Sequence, residues 1–241
     1  MQLKKNNIIN SLSIFIPIRK NSKRIKNKNI KPLPGLKLGL TELKIKQLKK
    51  FKTQYLKKYN KNLEIVISTD CLKILKYTNK FSWIKVFERK KSLATDDSLD
   101  KLIRHVPHIC KNEYILWTHV TSPMFNEIDY MKFIENFCFQ KKKNNISKSA
   151  FSADIIQKFM LDEKRNWVSH NFRKKKWPKT QDVKRFFLVN SAAFIAKRET
   201  YERENDRLCR KPLAIKSRVG SGFDIDNIED FNNLKNEKFF R

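Results

Sequence analysis

Two clusters in the 241-residue sequence hold the residue types that phosphate chemistry needs. The first is residues 16–29, where Arg19, Lys20, Lys23, Arg24, Lys26 and Lys28 are interleaved with Asn21, Ser22, Asn27 and Asn29. Compact cations beside hydroxyl, amide and backbone N–H donors are what a triphosphate requires to hold and neutralise its non-transferred phosphates. Taken alone, such a loop also reads as a solvated basic turn. The second cluster is residues 222–231, where Asp224 and Asp226 stand two apart in what reads as a strand end. Alternation along a strand turns both carboxylates to one face. Two hard oxygen ligands beside a triphosphate suit magnesium, which keeps waters and borrows phosphate oxygens. Asn227 is placed to cap the following helix, with Glu229 and Asp230 in its positive first turn. Helix-start decoration accounts for those last two residues but not for Asp224 and Asp226.

The elements that must position these clusters follow from apolar spacing. The run 12–18 reads as a strand that delivers the basic loop at its carboxyl end. Ile45, Leu48, Phe51, Tyr55 and Tyr59 recur at helical spacing, which predicts a helix over 41–59. Further strands are expected at 63–68, 83–87 and 114–119, with Asp70 capping a short helix around Ile74 and Leu75. Helices are expected at 98–109 and 127–139. This βαβα rhythm specifies an α/β fold: a Rossmann-like, mostly parallel sheet with helices on both faces, whose ligands gather at the carboxyl ends of the strands. A polar basic link covers 141–148. The rhythm then lapses over 149–184, which reads as an inserted arm with β-like pieces at 150–153 and 167–169 and a basic run at 173–176. Strand character returns at 186–196, with an edge strand at 214–216 and a final helix after Asp226. The whole of 1–241 reads as one domain.

Composition bounds the alternatives. Apolar residues make up 40% of the chain, enough for a sizeable core, and the formal net charge is +30. Such a charge attracts polyanions, so a basic nucleic-acid-binding protein is the reading from a different class. The lysines, however, are spread along the chain together with many Asn, Ile and Phe residues, which share A- and T-rich codons, and no recognised nucleic-acid motif accompanies them. Cys71, Cys110, Cys138 and Cys209 lie far apart without a CxxC pair, which excludes a disulfide framework and a zinc site. His105 and His108 lack a further ligand pair and read as ordinary surface or interface histidines. No run approaches the ~18 apolar residues of a membrane span, and the start does not read as a signal peptide, so a cytoplasmic protein with no membrane partner is expected. Walker, GxGxxG, GxSxG and HExxH motifs are missing.

The basic loop resembles the nucleotide-binding loop of the acylneuraminate cytidylyltransferases, approximately (I/V)PAR-G-G-S-K-R-(I/L)-P-x-K-N. Pro17, Arg19, Ser22, Lys23, Arg24, Lys28 and Asn29 match it. Lys20 and Asn21 replace the glycine pair and Lys26 the proline, so Asn21 is the residue expected to tolerate a left-handed conformation there. Further similarities follow in order: residues 65–70 to a VVSTD strand; Glu88-Arg89 and 93–96 to R-P-x-x-L-A-x-D; 118–123 to a Q-P-T-S-P loop, with His119 replacing the glutamine; Gln181-Asp182 to R-Q-D; 190–195 to N-G-A-I-Y-I; and 222–231 to S-I-D-I-D-T-x-x-D-F. Together they span 13–234.

The resemblance implies a nucleotidyltransferase-type fold in which the inserted arm serves dimerisation. It also implies transfer of CMP from CTP to the anomeric hydroxyl of a nine-carbon 2-keto (sialic-type) sugar acid, with Mg2+ held by Asp224 and Asp226. Arg19, Ser22, Lys23, Lys28, Asn29, Arg89 and Ser98 would bind the nucleotide, with Arg19 and Lys28 acting in catalysis beside the two aspartates. Gln181, Asn190 and His119 would bind the sugar. A cytidylyltransferase for the eight-carbon acid Kdo is the nearest alternative; its first loop tends to read S-T-R where this chain has Ser22-Lys23-Arg24.

Overall fold

The run Leu12–Ile18 lacks polar alternation, as a strand covered on both faces must, and it forms β1 with six of its seven residues buried. The computed structural model describes residues 8–95, 99–144 and 148–236. The other strands are β2 (Glu64–Thr69), β3 (Ile84–Glu88), β4 (Tyr114–Thr118), β5 (Ser149–Ile156), β6 (Phe186–Lys197) and β7 (Leu213–Lys216). The helices are α1 (Gly39–Tyr59), α2 (Leu72–Thr78), α3 (Leu99–Ile109), α4 (Glu127–Asn144), α5 (Arg198–Glu204) and α6 (Ile228–Lys235).

Among the described residues the strands form one sheet in the order β3-β2-β1-β4-β6-β5-β7. Strands β3, β2, β1 and β4 run parallel. The long strand β6 then lies antiparallel to both β4 and β5, and β7 runs parallel to β5. Successive parallel strands are laid down outward from β1 on one side until β4 returns to its other side. The loops leaving β1 and β4 therefore flank a topological switch point, where open α/β sheets bind ligands.

Helices cover both faces, as expected. Phe51, Tyr130, Phe137 and Phe231 from α1, α4 and α6 pack with Ile14 and Ile16 in one layer. Val106 from α3 and Tyr201 from α5 pack with Phe15 and Trp117 in the other. Among the described residues no helix is long and apolar enough to cross a membrane, and the four cysteines are thiols.

Several expectations are corrected. Helix α2 is capped by Cys71 without a side-chain hydrogen bond; the Asp70 carboxylate instead accepts the Lys20 backbone N–H at 2.7 Å. Helix α4 continues through the expected basic link to Asn144. Residues 149–156 belong to the sheet as β5, paired with β6 and β7 and with the five residues from Ser149 to Ala153 all buried. The arm is thus the excursion 157–185 between β5 and β6, folded on itself by the Gln157 side chain donating to the Gln181 and Val183 carbonyls and by clustered Phe159, Trp167, His170 and Trp177 rings. Residues 223–227 form an irregular extended segment rather than a strand. Its Ile225 N–H is tied to the Thr121 carbonyl at 2.8 Å.

Candidate active site

A cavity of about 450 Å³ opens at the switch point, lined by Arg19, Lys23, Arg24 and Lys28 of the basic loop and by Asp224 and Asp226. The loop wall is shaped from within. Asn29 is buried and its amide donates to the Arg19 carbonyl at 3.0 Å, while the Thr41 hydroxyl donates to the Asn29 carbonyl at 2.7 Å. The left-handed residue of this loop is Asn27, at φ 56°, and not Asn21. Asparagine is the non-glycine residue that best accepts that conformation. The loop thereby turns one step before Lys28 and aims it inward.

The buried Lys28 ammonium donates to the Ile225 carbonyl, between the two aspartates. Burial pulls its pKa down, against the pull of Asp224 and Asp226. Burial pushes the Asp224 carboxyl up; a hydrogen bond with Thr121 opposes this, and the Asp226 charge adds to it. Asp226 is paired with Arg24 at 2.7 Å. Asn227 caps α6 in a capping box with Asp230, as its spacing predicted. Asp230 is therefore committed to backbone N–H groups, and Asp224 and Asp226 are the carboxylates that face the cavity.

A second cavity of about 740 Å³ shares both aspartates and is also lined by Asp154, Asn190, Lys216 and Phe223. The Asn190 amide is held by Ser152 (2.6 Å) and Ser217 (2.9 Å). Gly222 crosses directly over it: a Cβ there would sit 2.1 Å from Asn190 Nδ2. Beside Asn190, Ser191 adopts φ 59°.

The structure brings Arg19, Ser22, Lys23, Lys28, Asn29, Arg89, His119, Asp224 and Asp226 to the first cavity and Asn190 to the second. Gln181 is exposed in a short 3-10 turn of the arm and lines neither. Ser98 and Asp96 lie outside the described residues. Arg89 is buried and braces the end of β2 through Ser68; burial lowers its pKa to about 10. His119 faces the first cavity rather than the second, next to Trp117.

Residues missed by sequence reasoning are Arg24 as partner of Asp226, Thr121 as partner of Asp224, and Lys44. The wholly buried Lys44 ammonium donates to the Ser122 and Phe125 carbonyls (2.9 Å each) and to the Tyr130 hydroxyl at 3.1 Å. Thr121 stood inside a motif that carried a signal. Lys44 had none, since a lysine in an amphipathic helix looks like surface.

A family model described as cytidylyltransferase matches residues 13–237. No curated protein sequence matches the chain. Among solved structures the chain is similar in fold to CMP:2-keto-3-deoxy-manno-octonic acid synthetase complexed with CTP, with 13% identity, 93% of this chain and 96% of that one covered, and a TM-score of 0.59. It is likewise similar to 4-diphosphocytidyl-2C-methyl-D-erythritol synthase from Anaerococcus prevotii, with 12% identity, 98% of each chain covered and a TM-score of 0.61.

Proposed function

Given that the chain belongs to the cytidylyltransferase family, we propose that it transfers CMP from CTP to the anomeric hydroxyl of a nine-carbon 2-keto sugar acid of the sialic type. The observation that carries this reading is the meeting of two cavities on one carboxylate pair. The cavity walled by Arg19, Lys23 and Lys28 suits the triphosphate, with Leu93, Leu99 and Leu102 offering an apolar end for the base. The cavity with Asn190 and Lys216 suits an acidic polyhydroxyl acceptor. In the reaction the sugar hydroxyl oxygen forms a bond to the α-phosphorus and gives up its proton to solvent, the bond from that phosphorus to the bridging oxygen breaks, and pyrophosphate leaves.

Arg19 and Lys28 neutralise the departing pyrophosphate, which is charge stabilisation and positioning. Asp224 and Asp226 are the residues that would hold Mg2+. Two oxygen donors fit an ion that completes its shell with water and phosphate, and it supplies charge neutralisation at the reacting phosphate. The resemblance to the acylneuraminate enzymes also supports a homodimer. Exposed Leu161 and Trp177 on the arm, with Phe187 and Leu188 at its root, are apolar surface that such a dimer would cover.

The test is melting temperature with magnesium and CTP, ATP or GTP, followed by pyrophosphate release with a panel of nonulosonic acids and Kdo. CTP should stabilise the protein most, by about 2.7 kcal/mol at a hundred times its Kd. Equal stabilisation by all three nucleotides, or turnover confined to Kdo, would defeat the reading as stated.

A further inference from the structure

His119 closes β4 at the wall of the first cavity, where its neighbours dictate its chemistry. The Trp117 indole N–H, which can only donate, points at His119 Nε2 from 2.9 Å. Nε2 must therefore be the unprotonated nitrogen, and the ring proton sits on Nδ1. Trp117 cannot easily swing away: it is fully buried, packed edge-on against Phe15 at 4.7 Å and covered by the Arg207 guanidinium at 5.0 Å. His119 Nδ1 makes no hydrogen bond among the described residues, while the ring lines the cavity.

The charges around the ring act in the same direction. Burial first, and then Arg207, Lys44, Lys28 and Arg89, hold its pKa down at about 3. The ring is thus neutral at ordinary pH, yet it sits in a positive field. A neutral N–H in such a field favours an anionic oxygen as its partner, and it offers nothing to a ligand donor because its acceptor nitrogen is already engaged.

We propose that His119 is a donor locked into one tautomer by Trp117, which gives its Nδ1–H to an anionic oxygen of the bound substrates. That oxygen belongs either to a CTP phosphate or to the carboxylate of the acceptor acid. The proposal rests on the reading that the first cavity receives the nucleotide. It makes His119 a specificity-determining residue: an amide N–H could replace it, whereas an apolar side chain could not.

Histidine-selective 15N NMR on the full chain tests the lock before any substrate is added. The expected signature is an unprotonated Nε2 and protonated Nδ1, unchanged from pH 5 to 8. A ring protonated on Nε2, or one titrating near the ordinary value of about 6.5, overturns the proposal. CTP with magnesium, inorganic tripolyphosphate and a sialic acid are then added separately and together. A downfield shift of the Nδ1 proton with the polyphosphates assigns the oxygen to phosphate, and a shift that needs the acid assigns it to the carboxylate. No shift under any of these conditions overturns the proposal.

In kinetics, His119→Leu should raise the KM of the assigned substrate about ten- to a hundredfold, the scale of a hydrogen bond to a charged group. His119→Gln, whose amide can also donate, should raise that KM less than His119→Leu does. Wild-type KM values for both substrates in His119→Leu also overturn it. If CTP fails to stabilise the natural protein, the nucleotide reading falls separately, and the tautomer and the tripolyphosphate titration still decide the role of His119.

Discussion

At the scale of single residues, the acidic segment 224–230 divides by what each carboxylate already holds. Asp230 accepts the Asp226 and Asn227 backbone N–H groups and closes the capping box, so its oxygens are committed. Asp224 is half-buried against its own preference for water, and Asp226 relies on one exposed arginine. Asp224→Asn and Asp226→Asn should therefore lower turnover by about two orders of magnitude, the scale of losing a charge partner in the transition state. Asp224→Asn should not lower the melting temperature, because it removes a charge that burial disfavours. Glu229→Gln should leave turnover nearly intact and weaken α6 by only a few tenths of a kcal/mol. Pyrophosphate release titrated with magnesium, beside melting curves, checks all three; near-normal turnover in both aspartate variants would move the metal site elsewhere. Ser191 makes a second test. It holds φ 59° at the position where the similar strand motif has glycine. An L-residue there is strained by ~1–2 kcal/mol, and glycine returns part of that gain through its freer unfolded chain. Ser191→Gly should raise stability by about 0.5–1 kcal/mol in urea unfolding; a loss would mean the serine hydroxyl does more than fill space.

At the scale of elements, α1 reaches the site through one side chain. Lys44 fixes the loop after β4 by two of its carbonyls, and that loop holds Asp224 through Thr121 and Ile225 through its N–H. Lys44→Met should cost about 2–4 kcal/mol, because it strands buried acceptors, and should weaken CTP binding by loosening the loop. Burial lowers the Lys44 pKa to about 7, against about 10.4 for an unfolded lysine. Between those values the unfolded chain keeps a proton that the fold has shed, so this group makes stability rise with pH, by up to ~1.4 kcal/mol per unit. Below about 7 both states are protonated and the dependence vanishes. Urea midpoints of natural protein and Lys44→Met from pH 6 to 9 isolate the effect, since buried tyrosines pull the other way only at higher pH. A parallel pH dependence in both proteins would refute it.

The same helix marks where legibility in the sequence ended. Its period gave Phe51 and Tyr55 to the core correctly, and β1 with its basic loop and the Asn227 cap were legible because strand burial, charge density and capping leave local patterns; Asp224 and Asp226 do line the cavity, but from an irregular segment and not from the strand end expected. Lys44, the Arg24–Asp226 pair and the Trp117–His119 lock were not legible. Each joins residues far apart in the chain, or depends on which neighbour a side chain finds. The arm was drawn too long for a related reason: β5 is held as a strand by β6 and β7, which lie some thirty and sixty residues further along the chain.

At the scale of the whole molecule, the question is what a formal charge of +30 does. The cations are spread over separate elements. Lys49, Lys50 and Lys57 are exposed on α1, while 173–176 are exposed on the arm. Pairs such as Lys58–Glu135 at 2.6 Å are partly exposed and worth at most ~1 kcal/mol each. A nucleic-acid reader concentrates charge in one stripe or groove and adds base-reading side chains. Here the concentrated charge, Arg19 to Lys28, lines one cavity together with two carboxylates, the setting of a compact triphosphate site rather than of a stripe that follows a continuous phosphate chain. Duplex DNA and RNA should therefore bind through scattered contacts alone. Expected Kd values at physiological salt are about 10⁻⁶ to 10⁻⁴ M without sequence preference, and affinity should fall steeply with log salt, by ~10³ or more between 50 and 200 mM if six or more phosphates are contacted. Fluorescence anisotropy with random and A-rich duplexes over that salt range, with and without saturating CTP, gives the answer. CTP should leave the weak binding almost unchanged, because the scattered lysines lie outside the cavity. A sequence-selective complex of nanomolar affinity that survives physiological salt and is displaced by CTP would mean that the basic loop reads nucleic acid, and the transferase assignment of this cavity would fall with it.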